Sequence, residues 1–364
     1  MKAAPGLALA PALALASALA IAAAAATAAE SSPAALARSG HLKRARALAE
    51  ERLRADPRDA EAHHVLARYQ QAAGDLDAAL PLAEKACELD PRNADSRYLL
   101  AGIYGQQAQR ASVFGKLGLA RRFRAEAEAA IGLDPRQVDA RMGLLQFHLQ
   151  APGIAGGDRE EARRLAAELA RIDPASGYLA QIRIAEREER RAELPGLYQK
   201  LAQVPSPSYR TLLILAGFYA SAEQKQYERA AALAAAARAL EPGRAGAYGV
   251  LATIYALERR WPDLDALLAE AESSVPDSLA PYYTAARTLL VDGGDLERAE
   301  RYLRKYLTME PEPGPPSHAH AWWRLGNVLE KQGRKPQAVE ALSTALRLDP
   351  SLEEAQKDLK RLKG

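Results

Sequence analysis

Small and apolar residues recur along this chain at helical spacing, in pairs of stripes separated by short breaks. After Pro57, Ala62, Leu66, Ala67 and Tyr69 form one stripe, Gly74-Asp75 interrupts it, and Ala79, Leu82, Ala86 and Leu89 form a second that ends before Pro91. The pattern predicts a helix, a turn and a helix. The last unit repeats it with Ala321, Trp322, Leu325, Gly326, Gly333, Ala338, Ala345 and Leu348 at the same offsets before Pro350. Prolines keep the period at Asp56-Pro57, Asp90-Pro91, Asp134-Pro135, Asp173-Pro174, Glu241-Pro242, Val275-Pro276, Glu310-Pro311 and Asp349-Pro350, with 34 residues from Pro57 to Pro91 and again from Pro242 to Pro276. A period of that length indicates stacked repeats, in which each unit buries its apolar face on its neighbours. Small residues allow paired helices to approach closely, and proline ends the second helix because it cannot continue the hydrogen-bond ladder.

These positions, in register over roughly residues 32 to 364, resemble the tetratricopeptide repeat. The resemblance implies an all-α fold, a right-handed α-solenoid of stacked helix-turn-helix units. Ser32-Pro33 starts a short helix that ends at Ser39-Gly40, so residues 30–57 read as a degenerate terminal repeat, followed by about eight repeats over 58–350. Leu352, Ala355, Leu359 and Leu362 mark an amphipathic capping helix in 351–364. The segment Asp139 to Phe147, with Ala151-Pro152-Gly153 and Gly156-Gly157-Asp158, is similar to a subgroup of exported bacterial tetratricopeptide proteins of unassigned activity.

Several units depart from the period. Pro91 to Pro135 spans 44 residues, and the surplus falls between Gln106 and Leu119, where Val113, Phe114, Leu117 and Leu119 alternate with Gly115 and Gly118. This reads as an apolar, glycine-broken loop, either folded back on the solenoid or offered to a partner through Val113 and Phe114. The next unit expands its turn into residues 151–158, with Asp158 and Glu161 at capping-box spacing. Residues 175–205 form the weakest repeat, and the run Glu186 to Arg191 reads as a solvated helix face. Glu312 to Pro316 reads as a stiff linker.

Length and charge refine the picture. Repetition allows one continuous core over all 364 residues, where length alone would suggest separate domains. Net charge is +3, with both signs mixed and only short basic runs at 121–124 and 360–363, which excludes nucleic acid as a partner. Lys2, the uncharged stretch Leu7 to Ala26 and the small residues Ala26-Thr27-Ala28 read as a bacterial-type secretory signal over 1–29, which places the mature chain in the periplasm. An uncleaved inner-membrane anchor is the alternative, since Ala3 to Ala29 is long enough to span a bilayer; a membrane is a partner only in that case. Cys87 is the single cysteine, so no intramolecular disulfide forms, and its place on an apolar stripe makes it a buried structural thiol.

No motif for catalysis, cofactor or metal emerges. His63-His64 and His318-Ala319-His320 lack companion carboxylates or cysteines at ligand spacing, and the glycines of 151–158 lack the Lys-Ser/Thr of a phosphate loop. The expectation is a non-enzymatic scaffold binding a protein or peptide of the cell envelope. The alternative is a membrane-anchored accessory subunit of an envelope enzyme, secretion or polysaccharide-export machine. By the family resemblance, the concave groove is lined by the fifth and ninth positions of each first helix. These include His64, Arg68, Tyr98, Met142, Gln146, Thr253, Tyr283, Arg287, Trp323 and Asn327. The ninth positions do not supply the Lys and Asn with which some relatives clamp a terminal carboxylate. The mixed groove suits an extended peptide or an acidic helix, unless Tyr98, Tyr283 and Trp323 only pack between repeats.

Overall fold

The structure, a computed structural model, describes residues 32–364, apart from the side chains of Val113 and Phe114. The expected signal or anchor at 1–29 lies outside the described residues. Nineteen α-helices and no strand occur among those described. They pair in chain order: α1 (Pro33–Ser39) with α2 (Leu42–Ala55), α3 (Ala60–Ala73) with α4 (Leu76–Leu89), α5 (Ala94–Arg110) with α6 (Val113–Leu133), and α7 (Val138–Gln150) with α8 (Arg159–Ile172). Then come α9 (Pro174–Arg187) with α10 (Leu194–Ala202), α11 (Tyr209–Ala220) with α12 (Tyr227–Leu240), α13 (Ala245–Leu257) with α14 (Trp261–Ser274), and α15 (Ala280–Asp292) with α16 (Leu296–Tyr306). The ninth pair is α17 (His318–Lys331) with α18 (Lys335–Leu348), and α19 (Glu353–Lys363) closes the array. The fold is an α-solenoid.

The Asp-Pro punctuation has a local cause. Asp56, Asp90, Asp134 and Asp349 each end a helix, and each carboxylate accepts from the backbone N–H two residues on, at 2.9, 3.3, 2.8 and 2.9 Å. The aspartate thus forms the turn while the proline stops the helix. The following first helices start on Asp59 and Asn93, whose side chains accept from the N–H groups of Ala62 and Ser96 at 2.9 Å. Asp173 compresses the linker completely: it ends α8 and also caps α9, accepting from Ser176 N–H at 2.9 Å.

Packing follows chain order. Leu36, Ala45, Ala49, Ala62 and Val65 form one apolar cluster, Ala67 to Tyr104 the next, and Ala101 to Ile184 another, each shared between adjacent pairs. The C-terminal pairs share a larger cluster that runs from Ala216 to Leu362. Close approach is enforced by small residues. A Cβ on Gly326 would lie 2.8 Å from Leu342 Cγ, and one on Gly177 would lie 2.6 Å from the Cα of Ala170 in α8. Cys87 is buried, and burial pushes its thiol up to about 11.

Three local readings need correction. The surplus in the third pair is not a loop: it lengthens both helices, α5 to 17 residues and α6 to 21, and only Ala111-Ser112 separates them. Glycines 115 and 118 sit within α6, because helix packing across the pair outweighs their weak helix propensity. The charged run 186–191 is a turn rather than a helix face. Here α9 ends at Arg187, and Glu189 takes the left-handed conformation at φ 57°. Glu188 then ties the turn down by accepting from Arg163 at 2.8 Å and Arg190 at 3.0 Å. At the start of α8 only half of the capping box forms: Asp158 accepts from the N–H groups of Glu160 and Glu161, but the Glu161 carboxylate turns to Arg164.

The solenoid also meets itself. His41, between α1 and α2, places Nδ1 2.9 and 3.0 Å from the two carboxylate oxygens of Asp277, between α14 and α15. The Lys43 N–H donates to Glu312, in the α16–α17 linker, at 3.0 Å. The expected stiff linker is therefore docked on the first helix pair.

Two measurements check this packing. Leu325→Ala, at a fully buried position, is expected to destabilise the C-terminal pairs by about 2 to 5 kcal/mol, with faster amide exchange over 318–363 and unchanged protection over 62–105. Gly177→Ala drives a methyl into the backbone of α8, so chemical denaturation is expected to show a loss of about 1 to 3 kcal/mol.

Candidate partner-binding groove

The first helix of each pair contributes the residues expected to face the groove, and the structure gives them different roles. His64 on α3 places Nδ1 3.0 Å from the Ser96 hydroxyl on α5, so it links two pairs. Burial, reinforced by the neighbouring Arg68 charge, pulls its imidazole down to about 4. It is neutral at pH 7. Tyr98 packs on the backbone of Gly143 in α7, where a Cβ would lie 2.6 Å from the tyrosine hydroxyl. Arg68 is half-buried, and burial holds its guanidinium below the usual range, with Asp139 opposing and Arg38 assisting the shift. Among the described residues it makes no ion pair or hydrogen bond. Across the groove Arg210 of α11 donates to Asp139 of α7 at 3.2 Å.

The C-terminal candidates divide more sharply. Tyr283 is only 7% exposed, with its ring centroid 5.4 Å from that of Tyr306, and belongs to the core. Trp323 donates through Nε1 to Asp358 of α19 at 2.8 Å, and Asn327, with its amide turned to suit both neighbours, donates to the same carboxylate at 3.0 Å. Thus α19 covers the face of the last pair that these residues line. Met142 packs against the apolar cluster of its own pair, while Gln146 stands exposed on α7. Val113 and Phe114 open α6 instead of forming a loop, and their side chains lie outside the described part of the structure.

Arg287 and Thr253 do come together. With Gly246, Gly249, Val250, Pro281 and Thr284 they line a cavity of 320 Å³ between α13 and α15. Arg287 is exposed and has no ion pair among the described residues. The Thr253 and Thr284 hydroxyls donate to helix carbonyls at 3.1 Å, which leaves their oxygens free to accept. A second cavity of 280 Å³ shares Ala245 and Gly246 with the first, and is bounded by Tyr209, Arg244 and the turn Ser39 to His41. The glycines of this floor escape a count of groove side chains. Gly249 holds the fifth position of α13 but has no side chain to name, although the spacing Gly246, Gly249 in an alanine-rich helix is itself a signal for a smooth, close-approach surface.

No helix among the described residues is long and apolar enough to cross a membrane, and none of their His, Cys, Asp and Glu residues cluster in threes able to hold a metal. The array of stacked helix pairs defines the class: an α-solenoid scaffold for protein interaction. The tetratricopeptide repeat family profile matches residues 34–94, 64–108 and 283–353. Residues 34–108 and 283–353 are thus matched as tetratricopeptide repeats. In fold it is similar to yeast Tom70, at TM-score 0.50 and 14% identity over 91% of this chain and 80% of that one. A tetratricopeptide repeat protein from Parabacteroides merdae aligns at TM-score 0.41 and 14% identity over 84% of this chain and 99% of its own, and Pseudomonas aeruginosa pilF at 0.39 and 19% over 65% and 99%. No curated protein matches the sequence.

The His64 environment has a measurable consequence. Its folded-state pKa is depressed, so the unfolded chain binds the proton first, and stability is lost as pH falls from about 6.5 toward about 4. The loss is on the order of 2 kcal/mol. Urea midpoints at pH 7 and pH 4.5 are expected to differ less for His64→Gln than for the parent.

Proposed function

We propose that this chain is a non-enzymatic scaffold of the periplasm, whose groove holds an extended peptide segment from a protein of the cell envelope. The observation that carries the reading is the 320 Å³ cavity between α13 and α15, with an uncommitted cation at its edge. Glycine and proline keep the floor low, so a peptide backbone can lie on it with small apolar side chains inward. Arg287 offers two parallel N–H donors to a carboxylate on the peptide. The threonine oxygens can accept from peptide N–H groups. Export follows from the N-terminal composition, and the partner's compartment follows from export.

The test uses a partner captured from envelope extract and then reduced to its binding segment. Arg287→Glu is expected to weaken binding at least about fivefold, roughly 1 kcal/mol, with an unchanged melting temperature. Gly249→Leu, which raises the floor, is expected to do the same. Unchanged affinity in both variants would move the site to the Arg68 region. N-terminal sequencing of the exported chain is expected to begin near Ala29 or Glu30; an intact Met1 would favour the anchored alternative.

A further inference from the structure

The contact between the first pair and the seventh to ninth pairs is polar and partly buried, and most of it is made by residues 41–44. His41 is 8% exposed and the Asp277 side chain 12%, so both have left water for each other. Arg44 Nη1 lies 4.0 Å from the same carboxylate, Lys43 N–H donates to Glu312, and Lys43 Nζ donates to the Glu310 carbonyl. The linker also approaches α3 closely: a Cβ on Gly314, where φ is +98°, would be 3.1 Å from the Ala72 carbonyl oxygen.

The topology explains why these groups meet. Residues 39–44 comprise the end of α1, the two-residue turn and the start of α2, whereas Asp277, Glu310 and Glu312 lie in connections between successive pairs. The contact therefore joins opposite edges of the solenoid, as happens when a superhelix completes one turn and rests on its own beginning.

Two features distinguish this junction from the core. The apolar cluster of the first pair extends no further than Leu66, and the C-terminal cluster begins at Ala216, so among the described residues no apolar cluster spans the closure. Satisfaction is also incomplete: Glu312 Oε1 is buried with no partner among the described residues, and burial raises that carboxyl above its usual range although Lys43 opposes it. A junction held by a few polar contacts, one of them half-satisfied, opens at less cost than the helix pairs unfold. Its position also matters, because the turn Ser39 to His41 forms one wall of the 280 Å³ cavity that adjoins the proposed peptide site.

We infer that residues 39–44 are a reversible clasp, which closes the concave groove from the side by seating His41 on Asp277 and Lys43 on Glu312, and must be released to admit a partner. The consequence for binding rests on the groove reading above, whereas the closure is measured on the full chain without any partner.

The experiment compares an opened and a locked form, both in a Cys87→Ser background carrying Ala245→Cys as a groove reporter. Asp277→Ala with Glu312→Ala opens the clasp; His41→Cys with Asp277→Cys, oxidised to a disulfide, locks it. The opened form is expected to show a larger radius of gyration by small-angle scattering, unchanged helical circular dichroism, and about tenfold faster maleimide labelling at position 245 than the locked form. Equal labelling rates, or an unchanged radius of gyration, would overturn the clasp. Loss of helical signal in the opened form would also overturn it, by showing that the junction belongs to the core. Failure of any of these leaves the peptide site at Arg287 untouched, since that site is tested by partner affinity.

Discussion

Helices can lie close together only where the residues between them are small, and this chain's architecture depends on that contact. Ala45, Ala49, Ala62, Ala79, Ala83 and Ala86 are completely shielded from solvent along the first pairs alone. Each alanine buries little apolar area, so stability comes from repetition and from the dispersion contacts that close approach permits. The leucines fill the remaining space, as Leu251, Leu289 and Leu325 do in the C-terminal cluster. Since every contact of this kind joins neighbours, cohesion is distributed along the chain.

Polar contacts set the register on the outer face. Arg238 of α12 pairs with Glu270 of α14, Arg298 of α16 with Asp265 of α14, and Arg334 before α18 with Glu300 of α16. These are pairs at or near the surface, each contributing little to stability. The Tyr302 hydroxyl joins one of them by donating to Asp265 at 2.6 Å, and desolvation together with that carboxylate pushes its phenol up to about 12. Opposite charges placed on consecutive second helices favour one alignment of the repeats over a shifted one.

Curvature then decides what the inner face can do. Bending brings Arg210 to Asp139 across an intervening helix pair, and brings the first pair back against the seventh to ninth. The inner face consequently divides into zones. Its N-terminal part holds His64, Arg68 and Tyr98, mostly engaged in packing; the middle carries the glycine-floored cavities; and the final pair is covered by α19. Among the described residues, only the middle zone combines space, uncommitted acceptors and an exposed cation.

The amino-acid sequence by itself determined the helix pairs, their period and their punctuation, because these are fixed by interactions within about four residues. Asp-Pro turns, Asn and Asp caps and alanine stripes all act at that range. Arg287 and Thr253 keep their register positions on α15 and α13 and line one cavity between them. Tertiary structure decided the rest. Tyr283 and Trp323 hold the same register, but one lies under Tyr306 and the other is bonded to α19, and neither neighbour can be inferred from helical spacing. The lengthened α5 and α6 were hidden because glycine reads as a break until a partner helix supplies the packing. The seating of His41 on Asp277 depends on the summed rotations of every intervening pair, so no local pattern in the chain announces it.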